Sequence, residues 1–133
     1  MNDTRPLVLI ADDEPQLREV LQRALERGGY RVLGAGSAES AYELLAAERV
    51  DAVLLDVHLP TMSGLALYLA VLNRWPALAG RIAIMTGDAE AEEVRAWLER
   101  NPCTVLRKPF NLQDIFTWLR TVVHTRDRGR ANG

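Results

Sequence analysis

Acidic residues follow two short apolar stretches of the sequence. Asp12 and Asp13 come directly after LVLIA, and Asp56 comes directly after AVLL. Three carboxylates held close together repel one another unless a cation neutralises them, and Mg2+ is a hard cation that prefers such oxygen ligands. Asp12 and Asp13 would also suit the start of a helix, whose dipole favours negative charge. The sequence therefore predicts a magnesium site if the fold brings the three residues together.

A hydroxyl group and an ammonium group accompany two later apolar stretches. Thr86 ends IAIMT, and Lys108 comes directly after TVLR. Each alone would suit a strand end or a solvated loop. Together with a metal ion, however, they could bind the oxygens of a phosphoryl group, whose transfer depends mainly on alignment and charge neutralisation. A carboxylate can act as the nucleophile and become an acyl phosphate, so the set indicates phosphoryl chemistry.

Five short apolar segments predict the buried strands that would position these residues. They lie at Leu7–Ala11, Tyr30–Leu33, Ala52–Leu55, Arg81–Thr86 and Thr104–Arg107. A segment with apolar residues at helical spacing follows each of them. Ser37 can cap the second helix, Pro76 stops the third, and Asp88 can cap the fourth. Strands that alternate with helices predict an α/β fold, a doubly wound parallel sheet with helices on both faces.

The order of the strands determines where the polar residues meet. Right-handed crossovers leave few arrangements of the strands, and the sequence favours the flavodoxin-like order 2-1-3-4-5. In such sheets ligands bind beyond the carboxyl ends of the strands, near the switch point between strands one and three. Asp56 ends the central strand and is therefore the best placed nucleophile. The other polar residues should surround it.

Composition predicts a single folded domain over residues 1–124 and a flexible polar tail over residues 125–133. With 48% hydrophobic and 26% charged residues and a net charge of −2, the chain has no general attraction to nucleic acid or anionic membranes. Cys103 is the one cysteine, which excludes an internal disulfide framework and suits a reducing compartment. No apolar run could span a membrane or form a signal peptide, so a cytoplasmic protein is expected.

The motifs resemble those of receiver domains in the two-component response-regulator family, and the likeness covers roughly Pro6 to Val123. The residues that carry it are Asp12-Asp13, Asp56 with Pro60 and Gly64, Thr86-Gly87, and Lys108-Pro109-Phe110. The resemblance implies that Asp56 accepts a phosphoryl group from a phosphohistidine on a histidine kinase or a histidine phosphotransfer protein. Thr86 and Lys108 would bind that group and report its arrival.

The resemblance also implies a set of magnesium ligands. Asp13 and Asp56 would bind Mg2+ directly, and Asp12 would act largely through water. The main-chain carbonyl of His58 would complete the protein ligands. The side chains of His58 and Asp88 stand at positions that tune dephosphorylation in the family, although both would equally suit a solvated loop. Such a domain is a phosphoacceptor that assists its own phosphorylation and dephosphorylation, and is not an enzyme in the usual sense.

Two departures from the family's pattern concern the output of the signal. Val105 stands where receivers often carry Tyr or Phe, so no large ring can couple to the threonine, and Leu59 replaces a frequent methionine. The resemblance implies a protein partner at the face formed by helix four, strand five and helix five. Candidate contacts there are Glu92, Arg95, Trp97 and Arg107, although the spacing of Trp97 favours the core. A monomer or a weak homodimer is expected.

Three other functions fit the same residues less well. A phosphatase with an aspartyl nucleophile would need a second acid two residues after Asp56, where the chain has His58. A dinucleotide or flavin site would need a Gly-rich turn, and the turn expected at Gly34-Ala35-Gly36 has Glu39 in place of a third glycine. A phosphorylation-independent interaction domain would lose part of the acidic pair, the nucleophile or the lysine, and this chain keeps them all.

The residues after the last helix carry no recognisable DNA-binding or catalytic segment. Arg126, Arg128 and Arg130 are basic, but Asp127 interrupts them, so a solvated terminus is favoured over a nucleic-acid arm. The chain is therefore expected to be either a stand-alone response regulator or the receiver of a larger protein such as a hybrid sensor kinase.

Overall fold

The structure, a computed structural model, describes residues 4–87 and 91–132, with side chains over residues 4–87 and 91–123. Its strands are β1 (Leu7–Ala11), β2 (Arg31–Ala35), β3 (Ala52–Asp56), β4 (Ile82–Thr86) and β5 (Thr104–Arg107). All pair in parallel in the order β2-β1-β3-β4-β5, which confirms the predicted sheet. The expected turn at Gly34 was wrong, because Gly34 lies inside β2, where it pairs with Ile10.

The helices are α1 (Pro15–Arg27), α2 (Ala38–Ala47), α3 (Gly64–Arg74), α4 (Glu92–Arg100) and α5 (Leu112–Asn132). Pro15 occupies the first position of α1, where its missing N–H costs nothing. The Ser37 hydroxyl accepts a hydrogen bond from the Ser40 amide at 3.1 Å, so the predicted cap of α2 is confirmed. α4 starts later than expected, with Ala91 as its N-cap, and residue 88 lies outside the described residues.

The C-terminal helix is longer than the sequence indicated. Its backbone continues to Asn132, whereas composition favoured a flexible tail over residues 125–133. Basic residues and alanine are good helix formers, so they can prolong a helix that packing has already started. Flexibility of this segment in solution, and a domain boundary at residue 124, stay predictions.

The sheet separates two apolar layers, because alternate residues of each strand face opposite sides. On one side, α2, α3 and α4 cover the strands, with core side chains Leu9, Val53, Leu55, Ile84, Ala41, Leu67, Val71 and Trp97. On the other side, α1 and α5 cover them, with Val8, Ile10, Leu54, Met85, Leu21, Leu25, Ile115 and Leu119. The two layers together bury the whole of the central strand β3, which ends in Asp56.

Trp97 belongs to the core, as its spacing indicated. Its side chain is only 8% exposed. Its ring meets that of Tyr68 edge to face, with ring centroids 5.2 Å apart, a favourable aromatic geometry. A bilayer-crossing helix is absent from the described part of the chain, since none of its helices combines sufficient length with sufficient apolarity.

Candidate functional site

Three carboxylates meet where β1 and β3 end side by side. Asp12 and Asp13 directly follow β1, and Asp56 is the last residue of β3. One carboxylate oxygen from each of the three lies within 4.8 Å of the others. Asp12 and Asp56 are 0% and 3% exposed, whereas Asp13 is exposed. The gathering that the strand order predicted is therefore present, and its donor set suits one hard divalent cation.

The carboxylate of Asp56 is held at both oxygens. Oδ1 accepts a hydrogen bond from the His58 amide at 2.9 Å, and Oδ2 accepts one from the Lys108 ammonium at 3.0 Å. Burial raises the pKa of Asp56, and the neighbouring Asp12 charge adds to this, whereas the bonds from His58 and Lys108 act in the opposite direction. The pKa is raised on balance, so the charged form is incompletely compensated and a bound cation would stabilise it.

Lys108 bridges the two buried carboxylates. Its ammonium lies 3.1 Å from Oδ2 of Asp12 as well as 3.0 Å from Asp56. Burial acts to lower the pKa of Lys108, but the hydrogen bonds and charges of Asp56 and Asp12 outweigh it and raise the pKa. The amine therefore stays protonated as a fixed positive charge. It also lies 5.9 Å from the ring centroid of Phe110.

Thr86 reaches the same edge of the sheet through strand pairing. It ends β4, one residue beyond the partner of Asp56, and its side chain is buried. Its main-chain carbonyl accepts a hydrogen bond from the Lys108 amide at 2.9 Å, which sets the lysine beside the threonine. The five polar side chains predicted to form the site thus lie at one edge. The side chain of His58 is exposed, and Asp88 lies outside the described residues.

Gly64 has a structural role that the sequence did not reveal. A Cβ atom built on it would lie 1.9 Å from the carbonyl oxygen of Asp56 and 2.9 Å from Cα of Val57. The Gly64 amide donates to the Val57 carbonyl at 2.7 Å, and Ser63 caps α3. The first turn of α3 therefore packs directly against the main chain of Asp56. Two features of the sequence pointed to this position: a glycine stands before an apolar helical segment, and Gly64 is among the residues that resemble the receiver motifs.

Comparisons with known proteins agree with this geometry. The family model described as "Response regulator receiver domain" matches residues 8–120. The chain is 33% identical over 122 residues to the "Probable transcriptional regulatory protein TcrX" of Mycobacterium tuberculosis, a match that covers 91% of this chain and 51% of that protein. It is 35% identical over 104 residues to the "Sensory/regulatory protein RpfC" of Xanthomonas campestris pv. campestris, covering 77% of this chain and 14% of that protein.

The chain therefore spans about half the length, or less, of these curated relatives. Among solved structures, it resembles the signal receiver domain of an HD domain-containing protein from Pseudomonas fluorescens, with a TM-score of 0.82 and 26% identity. That likeness covers 98% of this chain and 96% of the other. The family model, the sheet order and the acidic site agree, and the chain belongs to the response regulator receiver domain family of two-component systems.

Proposed function

We propose that this receiver domain accepts a phosphoryl group on Asp56 from a phosphohistidine of a histidine kinase or a histidine phosphotransfer protein. The observation that carries the proposal is the meeting of three carboxylates within 4.8 Å beside the ammonium of Lys108. Such a site combines a carboxylate nucleophile with the positive charge that a phosphoryl group needs.

The acidic residues would also hold the metal ion. Asp13 and Asp56 would bind Mg2+ directly, Asp12 would act through water, and the main-chain carbonyl of His58 would supply a further ligand. When bound, Mg2+ supplies the charge that offsets both the carboxylates and the phosphoryl oxygens. The fit rests on the donor set, because carboxylate oxygens at this spacing are the ligands that this ion prefers.

In the proposed transfer, a carboxylate oxygen of Asp56 attacks the phosphorus of the phosphohistidine. A new O–P bond forms as the N–P bond breaks, and the electron pair stays on the imidazole nitrogen, which takes a proton from solvent. Lys108 already lies 3.0 Å from the Asp56 carboxylate and can contact a phosphoryl oxygen there. The Thr86 hydroxyl donates to another oxygen. The same groups assist the hydrolysis that later removes the phosphate.

The signal would leave the site through the pairing of β4 with β5. Thr86 pairs with Arg107, so movement of the threonine is carried to the face formed by α4, β5 and α5. Val105 is half-buried and carries no ring, so the shift would pass through the main chain instead. Glu92, Arg95 and Arg107 would contact a protein partner there. The domain would act as a monomer or weak homodimer, alone or within a longer protein such as a hybrid sensor kinase.

A small-molecule phosphodonor tests the proposal. Acetyl phosphate with Mg2+ should add one phosphoryl group to the wild-type chain, detectable as an increase in intact mass. Hydroxylamine should release that group as inorganic phosphate and leave a hydroxamate, as expected for an acyl phosphate. Asp56→Asn should remove the modification. Asp114→Asn is the matched control, because Asp114 lies exposed in the first turn of α5. Equal labelling of wild type and Asp56→Asn would refute the assignment of Asp56.

A further inference from the structure

The glycines of the Gly34-Ala35-Gly36 segment lie beneath the side chain of Arg18. A Cβ atom on Gly34 would lie 3.1 Å from Cδ of Arg18, and one on Gly36 would lie 3.2 Å from its Nη1. Both distances are tighter than ordinary contacts. The two glycines, which could have indicated a dinucleotide-binding turn, therefore form a trough along the end of β2 that is already filled by an arginine.

The trough directs the guanidinium group to the loop that carries the acidic pair. Nη1 of Arg18 donates a hydrogen bond to the main-chain carbonyl of Asp12 at 2.7 Å. The Asp12 amide donates to the Ala35 carbonyl at 3.0 Å. The Asp12 carboxylate accepts from the Glu14 amide at 2.9 Å and from Lys108 at 3.1 Å. Arg18 thus supplies the contact at the carbonyl, between β1 and the first turn of α1.

We propose that Arg18 is a positioning residue for the divalent-metal site. It holds the main chain of Asp12, and thereby Asp13, at the place where their carboxylates meet Asp56. The inference rests on the proposed function, since it concerns the Mg2+ that supports phosphorylation. Without a cation, repulsion among the carboxylates tends to push them apart. The hydrogen bond from the charged Arg18 side chain to the Asp12 carbonyl opposes that separation.

The size of the effect follows from general behaviour of metal sites. Partners that orient a ligand typically contribute about 10–100-fold to metal affinity. Arg18 acts on the main chain and is partly exposed, so the lower end of that range is expected. Arg18→Gln should therefore raise the half-saturating Mg2+ concentration about tenfold. The phosphorylation rate at saturating Mg2+ should change less than about twofold, because the metal restores the loop once it is bound.

A titration of Mg2+ followed by calorimetry, together with the rate of phosphorylation by acetyl phosphate at each concentration, tests the inference. Arg23→Gln is the matched control, because Arg23 lies on the same helix but is 70% exposed and pairs only with Glu19 in the described contacts. Arg23→Gln should bind Mg2+ as wild type does. Amide hydrogen exchange of Asp12, Asp13 and Glu14 in the metal-free protein should be faster in Arg18→Gln than in Arg23→Gln.

A double-mutant cycle tests the trough itself. Gly34→Val places a side chain where Arg18 lies, and valine suits a strand. Gly34→Val should therefore weaken Mg2+ binding about as much as Arg18→Gln does. The double variant should bind Mg2+ no more weakly than either single variant. Additive losses would overturn the role of the trough.

The failures of the two proposals are distinguishable. Wild type that binds no Mg2+ and accepts no phosphate would overturn the proposed function. Wild type that does both, with Arg18→Gln equal to it in Mg2+ affinity and in amide exchange, would overturn only the role of Arg18. A fall in rate at saturating Mg2+ with an unchanged half-saturating concentration would also overturn that role.

Discussion

Replacing Gly64 with alanine would put a methyl group where the main chain of Asp56 already lies. The added Cβ atom would be 1.9 Å from the Asp56 carbonyl oxygen, and real contacts of this kind are essentially never shorter than 3.0 Å. The start of α3 and the end of β3 must therefore separate by about 1.1 Å. Neither element yields easily, because β3 is buried throughout and the Gly64 amide is bonded to the Val57 carbonyl.

The displacement should affect both stability and chemistry. Overpacking of a well-packed core costs about 1–3 kcal/mol, and for a domain of this size about 2 kcal/mol corresponds to a fall in Tm of roughly 6–10 °C. A misplacement of about 1 Å in a reacting group can cost on the order of a hundredfold in rate. We therefore expect Gly64→Ala to lower the Tm by that amount and to slow phosphorylation by at least about tenfold.

Thermal unfolding by circular dichroism and the rate of labelling by acetyl phosphate measure the two effects. Gly87→Ala is the matched control at the same edge of the sheet, because its Cβ would lie 3.9 Å from the nearest atom, Cβ of Lys108. It should change stability by less than about 0.5 kcal/mol. If Gly64→Ala has the same Tm and the same labelling rate as the control, the start of α3 does not pack closely against Asp56. Lost stability with an unchanged phosphorylation rate would show that the contact between Gly64 and the Asp56 main chain does not position the carboxylate.

Two further predictions concern charge. Asp56→Asn should raise the Tm at pH 7 in Mg2+-free buffer. Burial and the Asp12 charge raise the pKa of Asp56, so its ionised form at this pH opposes folding. A lower Tm for Asp56→Asn would contradict this. Burial also raises the pKa values of Cys103, Tyr30 and Tyr68 above their ordinary values of 9.0 and 10.0. The folded state thus favours the neutral forms of these three side chains. The stability that the neutral forms contribute is complete below about pH 9, and it is lost as the pH rises through the raised pKa values. Urea unfolding between about pH 8 and pH 11 should show this fall in the free energy of unfolding, and a flat profile would count against it.

The sheet and the meeting of the polar residues could be predicted because both follow from local patterns. Short apolar segments identified the strands, and the geometry of parallel sheets placed Asp56 beside Asp12 at their carboxyl ends. The same local reasoning failed at Gly34. A glycine is a weak strand former, so the sequence indicated a turn, but pairing with β1 keeps it extended.

The roles of Gly64 and Arg18 could not be read from the sequence because both depend on distances across the fold. A Cβ atom on Gly64 would collide with main chain eight positions earlier, and the Arg18 side chain lies against Gly34 in β2 and Gly36 just after it. Each constraint exists only once the elements have packed. Patterns of hydrophobicity carry no record of such close approaches.

Lys108 is paired with both buried carboxylates. The amine thus serves as a counter-ion to Asp12 and Asp56 at once. A divalent cation bound among the carboxylates would offset their charge in its place. The Lys108 ammonium could then contact a phosphoryl oxygen on Asp56 instead.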